Sequence, residues 1–256
     1  MSANVSKVIV RVSIFTLLIG LLANFNVYAH NEVSAITNFY FVSPSGDDNN
    51  DGTEQQPWKT LHKAATTLRA GDTAIFEDGV YTSDQIIEFS NSGTNEAPIT
   101  IKARNKQQAQ LLFTGLNTKG KMQLNHSQYI TIQDFEITQD VAGTGSADTY
   151  IHMNNCSNCI VSGNFIHAAG GKAVQALGGD HITVVDNTLY DLNIAVVMAN
   201  VDQPVIAGNE IRDAVNAIMV PAGTRSAQIY NNSIRAVNTS IQNGIVLGGS
   251  YPSSVA

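Results

Sequence analysis

From about residue 160 onward, apolar residues fall in short runs separated by Gly, Asn and Asp, and the runs repeat. Four segments superimpose: VSGNFIHAAGGKAVQAL, VVDNTLYDLNIAVVMAN, IAGNEIRDAVNAIMVPA and IYNNSIRAVNTSIQNGIVL. Their shared asparagines are Asn164, Asn187, Asn209 and Asn232, spaced 23, 22 and 23 residues apart. Three residues earlier stand Val161, Val184, Ile206 and Ile229; two residues later stand Ile166, Leu189, Ile211 and Ile234. A later apolar run brings Val174, Val196, Ile218 and Ile245 into line, the last unit needing the extra residues Asn238 to Ile241. A weaker copy, YITIQDFEI, puts Asp134 at the asparagine position, and the Gly-rich stretch Ala142 to Ala147 lengthens that unit.

A period of this length belongs either to leucine-rich repeats or to a β-solenoid. Leucine-rich repeats carry a further Leu upstream and return through a helix. Here the upstream position is Gly or polar, and the return runs AVVMA, AIMV and GIVL are rich in strand formers. The pattern therefore predicts an all-β, single-stranded parallel β-helix of about 22–23 residues per coil. Stacked coils lie about 4.8 Å apart, so equivalent residues form columns. A column of buried asparagines would satisfy its own amides from coil to coil.

An open solenoid end exposes core and needs a cap. Leu61, Ala64, Ala65 and Leu68 share one helical face between Thr60, an N-cap residue, and Gly71, which predicts a short N-terminal capping helix. Strands are expected at Thr73–Glu77, Gln85–Phe89 and Pro98–Ala103. The first residues read differently: Lys7 and Arg11 precede the apolar run Val12 to Ala23, and Val27-Tyr28-Ala29 follows. This is a secretory signal with cleavage after Ala29. The domain plan is then residues 1–29 as signal peptide and 30–256 as one β-helix domain, with cap and first coils over 39–115 and regular coils over 116–250. The chain stops without a visible second cap, which predicts either a covering subunit or a truncated C-terminus.

Charge narrows the partners. The chain has 14 basic and 21 acidic residues; without Lys7 and Arg11 these become 12 and 21, a net charge of about −9. No Lys/Arg cluster offers a phosphate-binding face, so a nucleic-acid partner is not expected. Nor is a membrane after signal removal, because no later apolar run reaches spanning length. A secreted or periplasmic monomer is expected. The two cysteines, Cys156 and Cys159 in NNCSNCIV, read as unlinked turn residues or a small bridge. Asp47-x-Asn49-x-Asp51-Gly52 imitates an EF-hand start but has Trp58 where the bidentate Glu belongs, and so reads as a turn.

The run FYFVSPSGDDNNDGTEQQPWKTLHKAATTLRAGDTAIFEDGVY (39–81) resembles the entry segment of secreted right-handed parallel β-helix proteins. Family 9 pectate lyases and the chondroitinase B and alginate lyase group share it. With the repeats, the resemblance covers most of 39–250. It implies a right-handed helix and a polysaccharide lyase acting on an acidic polysaccharide (pectate, alginate or chondroitin-like) by β-elimination, often assisted by calcium. The catalytic residues of those families have no identifiable counterparts here.

Chemistry must then come from this chain's own residues. Elimination beside a uronate needs a base for the C5 proton and cations for the carboxylate. Lys172, the last lysine in the chain, follows a Gly-Gly turn before a strand and is the candidate base. Arg212 and Arg235 share a column with Tyr190 and His167; the arginines suit carboxylate pairing, and the other two, with His152 in the long unit beside Asp148, suit sugar binding. Asp191 and Asp213, one coil apart, are the candidate Ca2+ ligands, or else the acid pair of a glycoside hydrolase. A non-catalytic glycan-binding module is the remaining alternative.

Overall fold

The computed structural model describes residues 37–115, 120–140, 148–167, 170–237 and 242–249. The signal-peptide reading, the insertion Ala142 to Ala147 and the four residues Asn238 to Ile241 lie outside the described residues. All described residues belong to the compact unit Ala35–Ala256. Among them no helix is long and apolar enough to cross a membrane.

The described chain is a parallel β-helix with one helix. An eight-stranded parallel sheet runs from Phe39–Val42 through Thr73–Phe76, Ile99–Ala103, Ile130–Gln133, Ile160–Ser162, Thr183–Val185 and Val205–Ala207 to Gln228–Tyr230. The second sheet has two limbs. Its long strands Thr188–Ala199 and Glu210–Val220 belong to both limbs. Their first residues pair with the short strands Phe165–His167 and Ser233–Arg235, and their later residues with Lys172–Asp180 and Asn243–Leu247. Asp191 and Asp213, at φ 55° and 51°, sit where each long strand passes from one limb to the other.

The expected columns are present. Val161, Val184, Ile206 and Ile229 are in register in the first sheet. Ile166, Leu189, Ile211 and Ile234 are in register in the first limb, and Val174, Val196, Ile218 and Ile245 in the second. All but the last members are buried in one core, because strand alternation turns every second residue inward. At the turn between the first sheet and the first limb, the four asparagines stack. The Oδ1 atoms of Asn187, Asn209 and Asn232 each accept the backbone N–H and the side-chain amide of the asparagine one coil earlier, at 2.9–3.1 Å.

Asp134 is not at the asparagine position. Phe135 occupies it, donating its backbone N–H to Asn164 Oδ1 at 3.0 Å and packing edge-on against Phe76. Asp134 stands one residue earlier, in a left-handed column with Gly163, Asp186, Gly208 and Asn231 (φ 64°, 67°, 55°, 65° and 55°). That conformation admits Gly, Asn and Asp and little else, which is why those residue types recur there.

The cap is a helix over Leu61–Thr67, with Thr60 as N-cap accepting from the Lys63 N–H and Leu61, Ala64 and Ala65 buried. The Asp47 carboxylate caps the backbone and side chain of Asn49, and the Trp58 indole N–H donates to the Asn50 carbonyl. The EF-hand-like run is thus a self-satisfied turn. A strand over Gly79–Ser83, additional to the strands the sequence pattern predicts, begins the first limb. Cys156 and Cys159 are free and buried.

Candidate functional site

Inward residues Ile137, Ile166, Leu189 and Ile211 fix which residues face outward on the first limb. Their neighbours form two outward columns. One contains Gln110, Glu136, Phe165, Thr188, Glu210 and Ser233 in register. The other brings His167, Tyr190, Arg212 and Arg235 together, as their spacing predicts. Three strand steps carry this column about 14 Å along the solenoid.

The columns interlock. His167 Nε2 lies 2.8 Å from Glu136 Oε1, and Gln110 donates its amide to the same oxygen at 2.8 Å. The Phe165 ring stacks on the imidazole at 4.3 Å and 23°. Arg212 grips Glu210 Oε1 through Nη2 at 2.5 Å and Nε at 2.9 Å, and Arg235 reaches the same oxygen at 3.7 Å. Two guanidinium groups thus share one carboxylate oxygen. Their side chains are 44% and 62% exposed, leaving them free to exchange Glu210 for another anion.

Lys172 is elsewhere. It opens the strand Lys172–Asp180, is 0% exposed, and pairs in register with Thr149 and Ile194. The glycines before it do form the expected turn (φ 86° and 76°), but the strand starts at the lysine itself and encloses it. A lysine so placed does not meet a polymer on the surface. Nearby, Lys121 pairs with Asp148 at 2.5 Å and lies 5.2 Å from the Tyr150 ring centre, all three buried. The Tyr150 hydroxyl and the second Asp148 oxygen have no hydrogen-bond partner among the described residues. Burial, and then the charges of Asp148 and Asp191, push the Tyr150 phenol well above its usual pKa. His152 belongs to another column, in register with Gln123 and Gln175 on the second limb.

Asp191 and Asp213 are one coil apart, as expected, but make a poor calcium site. Asp213 is 3% exposed and its Oδ1 accepts the Val237 N–H at 2.6 Å. Calcium takes six to eight oxygens. Among the described residues no three potential His, Cys, Asp or Glu ligands are grouped.

Residues 40–204 match the family described as Pel9A-like, right-handed β-helix region. The chain belongs to that family. Similar proteins include the uncharacterized protein YwoF of Bacillus subtilis, 28% identical over 220 residues. That match covers 77% of this Pel9A-like chain and 46% of YwoF. Pectate lyase PEL9 of Emericella nidulans is 35% identical over 63 residues, covering 25% of this chain and 15% of that enzyme. The Pel9A-like chain thus spans less than half the length of either curated relative. Among solved structures, XylC in complex with xylose matches with a TM-score of 0.50 at 14% identity, over 77% of this chain and 63% of that one. That likeness is one of fold.

Sequence reasoning missed Glu136, Gln110 and Glu210, the partners that hold the outer column, and the buried Lys121–Asp148 pair. The outward signal of Glu136 was present in the alternation of YITIQDFEI but hidden by the one-residue misplacement of Asp134.

Proposed function

We propose that this chain is the β-helix of an exported polysaccharide lyase that cleaves a uronate-containing polymer by β-elimination. The observation that carries the reading is the pair Arg212 and Arg235, held in register on an outward face by a single carboxylate, beside Tyr190 and His167. A uronate carboxylate displaces Glu210 from these arginines by bidentate pairing. Neutralising it acidifies the C5 proton and stabilises the enolate-like species formed on its removal. The C5–H pair becomes the C4–C5 double bond, and the glycosidic oxygen leaves C4. Tyr190 stacks the sugar between the cations and His167. Lys172, enclosed on the second limb, does not transfer the proton. Export through residues 1–29 belongs to the same proposal, since the substrate is extracellular.

The test is incubation of the purified protein with pectate, alginate and chondroitin, following both ultraviolet absorbance and new reducing ends. Elimination yields a conjugated unsaturated uronide, so absorbance and reducing ends rise together. Reducing ends without absorbance mean hydrolysis. Binding to all three without either signal makes the chain a glycan-binding module.

A further inference from the structure

We propose that His167 is the proton acceptor of the elimination, working through Nδ1, and that Glu136, braced by Gln110, is its positioning residue; this rests on the lyase reading above.

An ionised carboxylate only accepts hydrogen bonds, so the imidazole nitrogen 2.8 Å from Glu136 Oε1 carries the hydrogen. In the neutral ring the other nitrogen, Nδ1, then holds the lone pair. A histidine free to rotate would divide its proton between both nitrogens. Here two contacts hold the ring. Gln110 donates to the same Glu136 oxygen from the preceding coil, which fixes the carboxylate. Phe165, two residues before His167 and in register with Glu136, stacks on the imidazole and limits its tilt.

Place in the column supplies the rest. Tyr190 is in register with His167, and Arg212 with Tyr190. The His167 and Arg212 backbones are therefore two strand steps apart, about 10 Å. A uronate C5 held above Tyr190 fits that interval: the carboxylate it bears reaches Arg212 through one hydrogen bond, and the hydrogen on the same carbon faces His167 on the other side. Nδ1 takes the proton, the C5–H electrons form the C4–C5 double bond, and the C4–O bond breaks toward oxygen. The Tyr190 hydroxyl protonates the leaving oxygen, and water carries the proton from the imidazolium back to the phenolate. No oxidant or cofactor is consumed.

The experiment has two readouts on the full chain. Long-range proton–nitrogen spectra of histidine-labelled protein, with His167→Gln to assign the signal, report the tautomer without any turnover. Glu136→Ala and Glu136→Gln are then compared with the unmodified chain on whichever uronate polymer it cleaves. The expected results are an Nε2–H tautomer that becomes mixed in Glu136→Ala, and a fall in kcat of at least about tenfold with KM unchanged. The acidic limb of the pH–rate profile moves, and Glu136→Gln, which keeps an acceptor oxygen, retains most of the rate. An Nδ1–H tautomer in the unmodified chain overturns the proposal. So does an active Glu136→Ala variant with unaltered kcat and pH profile. If the tautomer is as expected but no polymer is cleaved, the lyase reading fails, and the catalytic role of His167 fails with it.

Discussion

Asn187 and Asn209 are joined through one oxygen: Asn209 Oδ1 accepts both the backbone N–H and the side-chain amide of Asn187, each at 3.0 Å. Asn187 in turn offers its own Oδ1 to Asn164 in the same way. Replacing Asn187 with Ala strips the acceptor from two buried donors of Asn164. The expected cost is about 3 kcal/mol, at one to three per unsatisfied buried group. Urea unfolding of Asn187→Ala measures it. The same change at Asn232, which lies at the less buried end of the ladder, should cost less.

The ladder was readable in the sequence because buried amides in this turn are restricted to one residue type at one spacing. The same reading failed one coil earlier. Placing Asp134 over Asn164 slides the strand by one residue, and a slip of one exchanges the faces of every side chain. Glu136 then matches inward Ile166, when it belongs beside outward Phe165. The partner of His167 was lost by that slip alone. Left-handed φ at Asp134, Asp186 and Asn231 tells the two positions apart, and backbone conformation is not written in hydrophobic alternation. The burial of Lys172 was illegible for a different reason: a Gly-Gly turn announces where a strand begins but not whether its first residue is covered.

Lys121 and Asp148 form a buried ion pair. Removing one partner leaves the other charged and enclosed, so Lys121→Met should destabilise by about 3–5 kcal/mol. Lys121→Met combined with Asp148→Leu should recover much of that loss. Thermal or urea unfolding of the three variants checks the non-additivity.

Stability should fall at alkaline pH, in part through Tyr150. Its pKa is raised in the folded state, first by burial and then by the charges of Asp148 and Asp191. The folded chain thus keeps a proton that the unfolded chain releases near pH 10. This contribution is complete below that pH and is lost progressively as pH rises above it. Urea midpoints at about pH 8 and about pH 11 should diverge less in Tyr150→Phe than in the unmodified chain. At the lower pH the variant should be no less stable, since the hydroxyl it lacks has no hydrogen-bond partner among the described residues.

Asp191 and Asp213 give a direct test of metal dependence. With the Asp213 Oδ1 already taken by the Val237 N–H, the pair is too sparse for calcium. Adding calcium or a strong chelator should leave the thermal unfolding midpoint unchanged. A clear upward shift with calcium would show ligands beyond this pair.

The most direct measurement is the initial rate of unsaturated-uronide formation by the unmodified chain and by Arg212→Ala, on the polymer that gives the strongest signal. For a β-eliminating lyase, absorbance should develop with the unmodified chain and fall at least about tenfold, the loss of about 1.4 kcal/mol of transition-state stabilisation, in the variant. The thermal midpoint should not change, because Arg212 is an exposed surface residue. Equal rates from the two proteins, or no conjugated product from any uronate polymer, would contradict the lyase reading.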